Sequence, residues 1–494
     1  MAAWFVLGAA PCCARDGHWQ PPDLRPTNAT LERVLAAVAG ASGEPVAGYG
    51  SRVEHWIVTA GSARLETVVT VRGADVRFDT AIDGANYAEG RSGGLRWRRT
   101  PNELVRVIAS DVQGDDLDRW PLAFFPYAAS DCAVIGETST APAAWVVEYR
   151  AAHDSPHWFF VDESTGHVVR EIFREGSRNV TFAFSDFRSG EGGVRPNAWH
   201  VSGAGGDADV TIAGIVPQAV AADVVAIPPS HTALAQFSGP SAVVPAIFNR
   251  DRITIDSVVN GHPGRFFLDT GTTQILIDEG AARNFGLKPI LGHAIVHRLS
   301  TGSITFDDLA AETVSLEGFG VDGILGNDYF VGHIMHVDYR HSHADVLPEE
   351  GFVPPPGTME VVANFDEGMP LVPAVIGDVE TSRVALDTGS ADVLVLRPLS
   401  GFNPSTFDRL GIGHGGVVGR LRFLEGAIGF EYAPASKIEF AGFLFLHNQI
   451  RIEAPWSGDA VDFPIDAIFG TQVLDQFEWW YDYDRGQIWI RRAQ

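Results

Sequence analysis

RFFLDTGTTQILI (Arg265–Ile277) and RVALDTGSADVLV (Arg383–Val395) are two versions of one pattern. In each, an arginine stands four residues before an aspartate and three apolar residues lead into Asp-Thr-Gly. A hydroxyl residue follows, Thr272 or Ser390, and a second apolar run comes after it. Short apolar runs bounded by a glycine turn read as buried strands, so Asp269 and Asp387 are expected at strand ends. A second pair of segments lies downstream. VDGILGNDYFVGHIMHVDYR (Val321–Arg340) aligns without a gap on IDAIFGTQVLDQFEWWYDYD (Ile465–Asp484), matching Asp322 with Asp466, Gly326 with Gly470 and Asp338 with Asp482. Two blocks repeated in the same order predict an internal duplication.

One carboxylate from each repeat suits a specific chemistry. Two carboxyls close enough to share a proton cannot both ionise, so the pair holds one proton over a broad acidic range. The ionised member can then take a proton from water, while the protonated member hydrogen-bonds a carbonyl and later supplies a proton to a leaving amine. Asp269 and Asp387 are therefore the expected catalytic pair. Gly271 and Gly389 are expected to allow a tight turn and close backbone approach. Thr270 and Thr388 are expected to bond across to the opposite turn, and Thr272 and Ser390 to donate to the outer carboxylate oxygens.

At these residues both repeats resemble the retropepsin-like branch of the aspartic proteases. The family pattern of an apolar pair, Asp-Thr/Ser-Gly-Ala/Ser/Thr and a later pair of apolar residues with Gly is met by Ile324-Leu325-Gly326 and Ile468-Phe469-Gly470. The resemblance implies two compact β lobes forming a bilobal unit that can work as a monomer, acting on a polypeptide without a cofactor or metal. The wider gap between Asp387 and Gly470 implies an insertion within Phe402 to Tyr432. Candidate flap hairpins are Leu299 to Phe306 and Gly415 to Phe423, neither with a tyrosine of the pepsin type.

The rest of the 494 residues is organised around this unit. Residues 1–20 contain the apolar stretch Ala2 to Ala10 and read as a possible signal segment without a basic n-region, which suggests a periplasmic or secreted protein. Residues 21–222 are predicted to be a β-rich domain, with a short helix near 30–40 and alternating strands after Val53. HWFFVDESTGHVVREIF reads as a hairpin turning at Asp162–Gly166. This hairpin and the following FAFSDFRSGEGGVRPNAWHV resemble the lipoprotein-sorting and lipoprotein-carrier family. That resemblance implies a curved antiparallel sheet with an apolar concavity for an acyl chain or a peptide; otherwise Trp97, Trp145, Trp158, Phe159 and Phe160 fill a core. Residues 223–241 read as a linker, 242–352 as lobe one and 358–494 as lobe two, each lobe with at most one short helix after its Ile-Leu-Gly or Ile-Phe-Gly. The fold class expected is mainly β.

A formal net charge of −26 argues against nucleic acid and anionic membrane surfaces as partners. No stretch after the N-terminus is long and apolar enough to span a bilayer. Without the first segment Cys132 is the one cysteine left, so no disulfide framework is expected. His333, His336, His341 and His343 lie close in sequence, but the second repeat has no counterparts, and they read as surface or edge histidines with no metal. The run Phe477 to Tyr483 reads as packing. The alternative to a protease is a non-catalytic binding or scaffold protein of the envelope, with the N-terminal domain holding lipid or peptide.

Overall fold

The computed structural model describes residues 24–42, 51–101, 105–108, 129–139, 142–149, 157–175, 178–190, 193–203, 207–229, 235–249, 252–290, 292–366, 368–396, 409–410, 418–423, 426–453 and 465–492. The possible signal segment 1–20 lies outside them. The chain is mainly β, as expected. Among the described residues no helix is long and apolar enough to cross a membrane.

The N-terminal half forms a 14-stranded antiparallel sheet that begins at the edge strand Leu24–Arg25 and ends at Val105–Ile108. Its two runs of consecutive hairpins meet where Ala208–Pro217 pairs with Arg52–Ala60. The period-two pattern sets the faces: in Arg52–Ala60 burial alternates along the strand and puts Trp56 and Val58 inside. The turn at Asp162–Gly166 forms as its chemistry dictates. The Asp162 carboxylate accepts from the amides of Ser164 and Thr165, and Gly166 takes a positive φ of 74°. The predicted helix is Leu31–Ser42, whose Val34 and Val38 pack on Trp145, Tyr149 and Phe159. The five aromatics singled out in the sequence are all buried.

The apolar face built on Trp56, Phe78, Phe182 and Trp199 is covered from within the chain. Ile295 joins its core, and Ile290 and Ala310 pack against it. The expected concavity for lipid or peptide finds no support at this face, where Ile295 and Ala310 of the following lobe pack against the apolar side chains of the sheet.

Two further eight-stranded sheets share a core arrangement. In one, His262–Leu268 runs parallel to Gly323–Leu325, which is antiparallel to Ile275–Asp278. In the other, Val379–Leu386 runs parallel to Ala467–Phe469, which is antiparallel to Val393–Val395. A six-stranded sheet draws from both halves: Ala242–Val243, Ile334–Asp338 and His343–Leu347, then Phe477–Asp482, Gln487–Arg492 and Met359–Val362. At its centre His336 lies directly opposite Trp480, and these two are partners in the ungapped alignment of Val321–Arg340 with Ile465–Asp484. Antiparallel strands whose matched residues face each other are related by a local twofold axis at that point.

Two corrections follow. The stretch read as a linker, 223–241, contains the strand Ala235–Phe237, which pairs with Ile304–Val314. A helix not foreseen, Glu279–Asn284, begins where the Asp278 side chain accepts from the amides of Gly280 and Ala281, the usual N-cap device. Of the expected insertion, 402–408, 411–417 and 424–425 lie outside the described residues. The remainder supplies the strand Val418–Phe423 and the start of the long strand Gly426–Phe440.

Candidate active site

The two Asp-Thr-Gly turns meet. Phe266, Phe267 and Leu268 on one side and Val384, Ala385 and Leu386 on the other are buried strand residues. They bring each turn to the same end of its sheet, where the parallel neighbour stops. There the Asp269 amide donates to the Leu325 carbonyl and the Asp387 amide to the Phe469 carbonyl, each at 3.0 Å. Across the junction the threonines are crossed. Thr270 Oγ1 donates to the Leu386 carbonyl at 2.7 Å and accepts from the Thr388 amide at 3.0 Å. Thr388 Oγ1 donates to the Leu268 carbonyl at 2.7 Å and accepts from the Thr270 amide at 3.1 Å. Both threonines are buried, so four backbone groups that water cannot reach are satisfied by two hydroxyls.

The glycines are needed for space. A Cβ on Gly271 would sit 2.6 Å from the Asp387 carboxyl carbon, and one on Gly389 would sit 2.6 Å from that of Asp269. Each glycine therefore lies against the aspartate of the opposite turn, and the two carboxyls face each other across the junction. Gly326 and Gly470 are constrained similarly: a Cβ would meet the Thr272 carbonyl at 2.4 Å in the first case and the Ser390 carbonyl at 2.5 Å in the second.

The carboxyls are held unequally. Asp269 accepts from the Gly271 amide at 2.8 Å and from Thr272 Oγ1 at 2.9 Å. Asp387 accepts from the Gly389 amide at 2.7 Å, but among the described residues no hydrogen bond joins it to Ser390, contrary to expectation. Burial, followed by the Asp269 charge and hydrogen bond beside it, pushes the Asp387 carboxyl well above the usual carboxylate range; the Gly389 amide and Arg252 pull only partly against this. The geometry is that of two facing carboxyls close enough to share a proton.

Several contributors escaped the sequence reading. Arg252, in the turn before Ile253–Val259, carries its guanidinium 4.7 Å from the Phe267 ring and acts on Asp387 from outside the motif. The buried Tyr481 and Tyr483 and the partly buried Tyr339 form an aromatic group whose phenols are pushed up by burial first and then by neighbouring tyrosines and aspartates. Among the described residues their hydroxyls have no hydrogen-bond partner. Tyr339 and Tyr483 occupy matching positions of the repeat, so the signal for this pair was present in the alignment. From the N-terminal sheet, Arg106 donates to the Thr273 carbonyl and to the Asp328 carboxylate, reaching the loop that follows Asp269.

The first flap candidate, Leu299 to Phe306, does form a hairpin tip, but Thr301, Ile304 and Phe306 are fully buried, and a Cβ on Gly302 would meet the Val243 carbonyl at 2.5 Å. It is packed into its lobe. The second candidate is partly outside the described residues, at 415–417. The histidine reading is corrected at His333, which is fully buried beside Phe237, Phe306 and Tyr329, with its imidazole pushed down to about 3 by burial. Trp479 and Tyr481 are fully buried, in keeping with a packing role for their strand.

Residues 255–329 match the aspartyl protease family. The matched segment contains the Asp269 turn and Gly326, and the Asp387 turn lies beyond it. No curated protein matches the chain. Among solved structures, a LolA-superfamily protein from Nitrosomonas europaea is similar at 13% identity with a TM-score of 0.31, over 40% of this chain and 98% of that one. An aspartic proteinase from Irpex lacteus is similar at 13% identity with a TM-score of 0.31, over 51% of this chain and 98% of that one.

Proposed function

We propose that the chain is an aspartic endopeptidase with Asp269 and Asp387 as its catalytic pair. The observation that carries this reading is the crossed Thr270–Thr388 junction, which sets each glycine against the opposite carboxyl. The family match over 255–329 supports the reaction class. Asp269, stabilised as a carboxylate by the Thr272 hydroxyl and the Gly271 amide, removes a proton from the attacking water. Asp387, retaining its proton, donates to the scissile carbonyl and then passes the proton to the departing amine. One carboxyl comes from each repeat, so a single chain supplies the whole site.

The test is cleavage of a peptide library between pH 3 and 8, a bracket of roughly the range over which shared-proton pairs operate. Asp269→Asn and Asp387→Asn should each lower kcat/KM by on the order of 10³-fold or more. Full activity in either variant would refute the shared pair. No turnover and no uptake of a statine-type inhibitor by the parent protein, together with copurifying lipid, would replace the protease reading with that of a binding protein.

A further inference from the structure

On one face of the six-stranded sheet three neighbouring strands present a polar cluster. His336 comes from Ile334–Asp338, His343 and Asp345 from His343–Leu347, and Glu478 and Trp480 from Phe477–Asp482. Asp345 and Trp480 flank His336 in register. His336 Nδ1 is 2.6 Å and His343 Nε2 is 3.0 Å from the same oxygen, Asp345 Oδ1. One ligand atom from each of these three residues lies within 4.8 Å of the other two. His336 Nε2 faces Glu478 Oε1 at 2.9 Å, and Glu478 in turn accepts from Arg491 Nε at 2.8 Å. The His336 ring is stacked on Trp480 at 4.6 Å between centroids.

Each ring nitrogen of His336 faces a carboxylate oxygen, so a neutral ring can donate to only one of Asp345 and Glu478, and a second proton or a cation must stand against the other. His343 places a further imidazole nitrogen 3.0 Å from the same Asp345 oxygen, so three donor atoms converge on one point. A histidine that ligates through one nitrogen and donates from the other to an anchored carboxylate is the outer-shell arrangement that orients metal ligands. Tetrahedral ligands at ~2.1 Å from zinc lie roughly 3.3 Å apart, so Asp345 Oδ1, now 2.6 Å from His336 Nδ1 and 3.0 Å from His343 Nε2, would move away from them by about 0.7 and about 0.3 Å.

We propose that His336 Nδ1, His343 Nε2 and Asp345 Oδ1 form a binding site for a borderline divalent cation, Zn²⁺ by donor type, with Glu478 as the orienting carboxylate. His336 and Asp345 are largely buried while His343 is 42% exposed, which leaves an entry path and room for water as a fourth ligand. The ion joins two adjacent strands of the first repeat and, through Glu478, engages a strand of the second. Its role is to brace the sheet that both repeats share, at the local twofold axis.

The experiment uses full-length protein purified without a polyhistidine tag and stripped with EDTA. Calorimetric titration with Zn²⁺ at neutral pH should show one saturable site per chain and an accompanying rise in Tm. Co²⁺ should give the visible absorption bands of a four-coordinate ion. His343→Ala, at a partly exposed position, and Asp345→Asn should each weaken binding by about tenfold or more, and Glu478→Gln by about 10- to 100-fold. Absence of saturable binding in the parent protein would overturn the proposal. Binding unchanged in both His343→Ala and Asp345→Asn would do the same, because the ion would then lie elsewhere.

Discussion

At the residue scale, the notable feature is a near-symmetric pair made unequal by one hydroxyl. Thr272 donates to Asp269, and Ser390, one methyl smaller, makes no corresponding bond to Asp387 among the described residues. In the proposed mechanism that bond orients the Asp269 carboxylate toward the water it activates. Replacing Thr272 by valine removes the donor and should lower kcat/KM by about tenfold or more, whereas Ser390→Ala should change it little. Equal losses in both variants would refute a special role for the Thr272 hydroxyl. These positions were legible because Asp, Thr, Gly and a hydroxyl recur in fixed order. The sequence could not distinguish the two hydroxyls: whether each one reaches its carboxylate depends on side-chain rotamer and distance.

At the element scale, the strand Val105–Ile108 is the edge of the N-terminal sheet, yet its Arg106 holds the loop after Asp269 and the short helix Asn327–Phe330. Asp328 in that helix is buried, and burial raises its carboxyl while Arg106 and Arg98 lower it. Removing one partner of a buried ion pair leaves the other charge exposed to the full desolvation cost. Arg106→Met, which keeps the stem, should therefore destabilise the protein, by up to about 3 kcal/mol because Arg98 still faces Asp328, and should lower kcat/KM by loosening the Thr273 loop. Denaturant unfolding and steady-state kinetics measure the two effects, and adding Asp328→Asn should restore most of the stability. Identical unfolding midpoints for the parent and Arg106→Met would show that the contact has no energetic role. Alternating patterns and turn residues made the strands and the Asp162–Gly166 hairpin readable. They carry no information about which sheet covers another, so the packing of Ile295 into the N-terminal core and the strand Ala235–Phe237 inside a supposed linker were not readable.

At the scale of the whole molecule, the segments that carry the two Asp-Thr-Gly turns share one apolar core. A single apolar core runs from Ile253 and Phe266 through Met335 and Tyr481 to Ile490, and the six-stranded sheet contains strands from both. The ungapped alignment already matched His336 with Trp480; it did not show that matched strands pair with each other. Where the repeats meet, acidic groups accumulate. Glu349 lies in a partly buried position beside Asp484 and Asp482, and burial followed by the Asp484 charge raises its carboxyl to about 8, against the pull of Arg485. The sign of the effect on stability follows from the proton count. Below about pH 4.5 the group is protonated in both folded and unfolded chains and its contribution is complete. Between there and about 8 the unfolded chain releases the proton while the folded chain keeps it, so stability falls as pH rises and levels off above 8. Asp484 and Asp387 are raised too and add declines of the same sign. Glu349→Gln keeps the shape and removes one of these titrations. Its Tm should match that of the parent near pH 4 and exceed it increasingly up to pH 8, with part of the alkaline decline remaining. A Tm difference that stays constant from pH 4 to 8 would mean that Glu349 ionises in the folded protein as readily as in the unfolded chain.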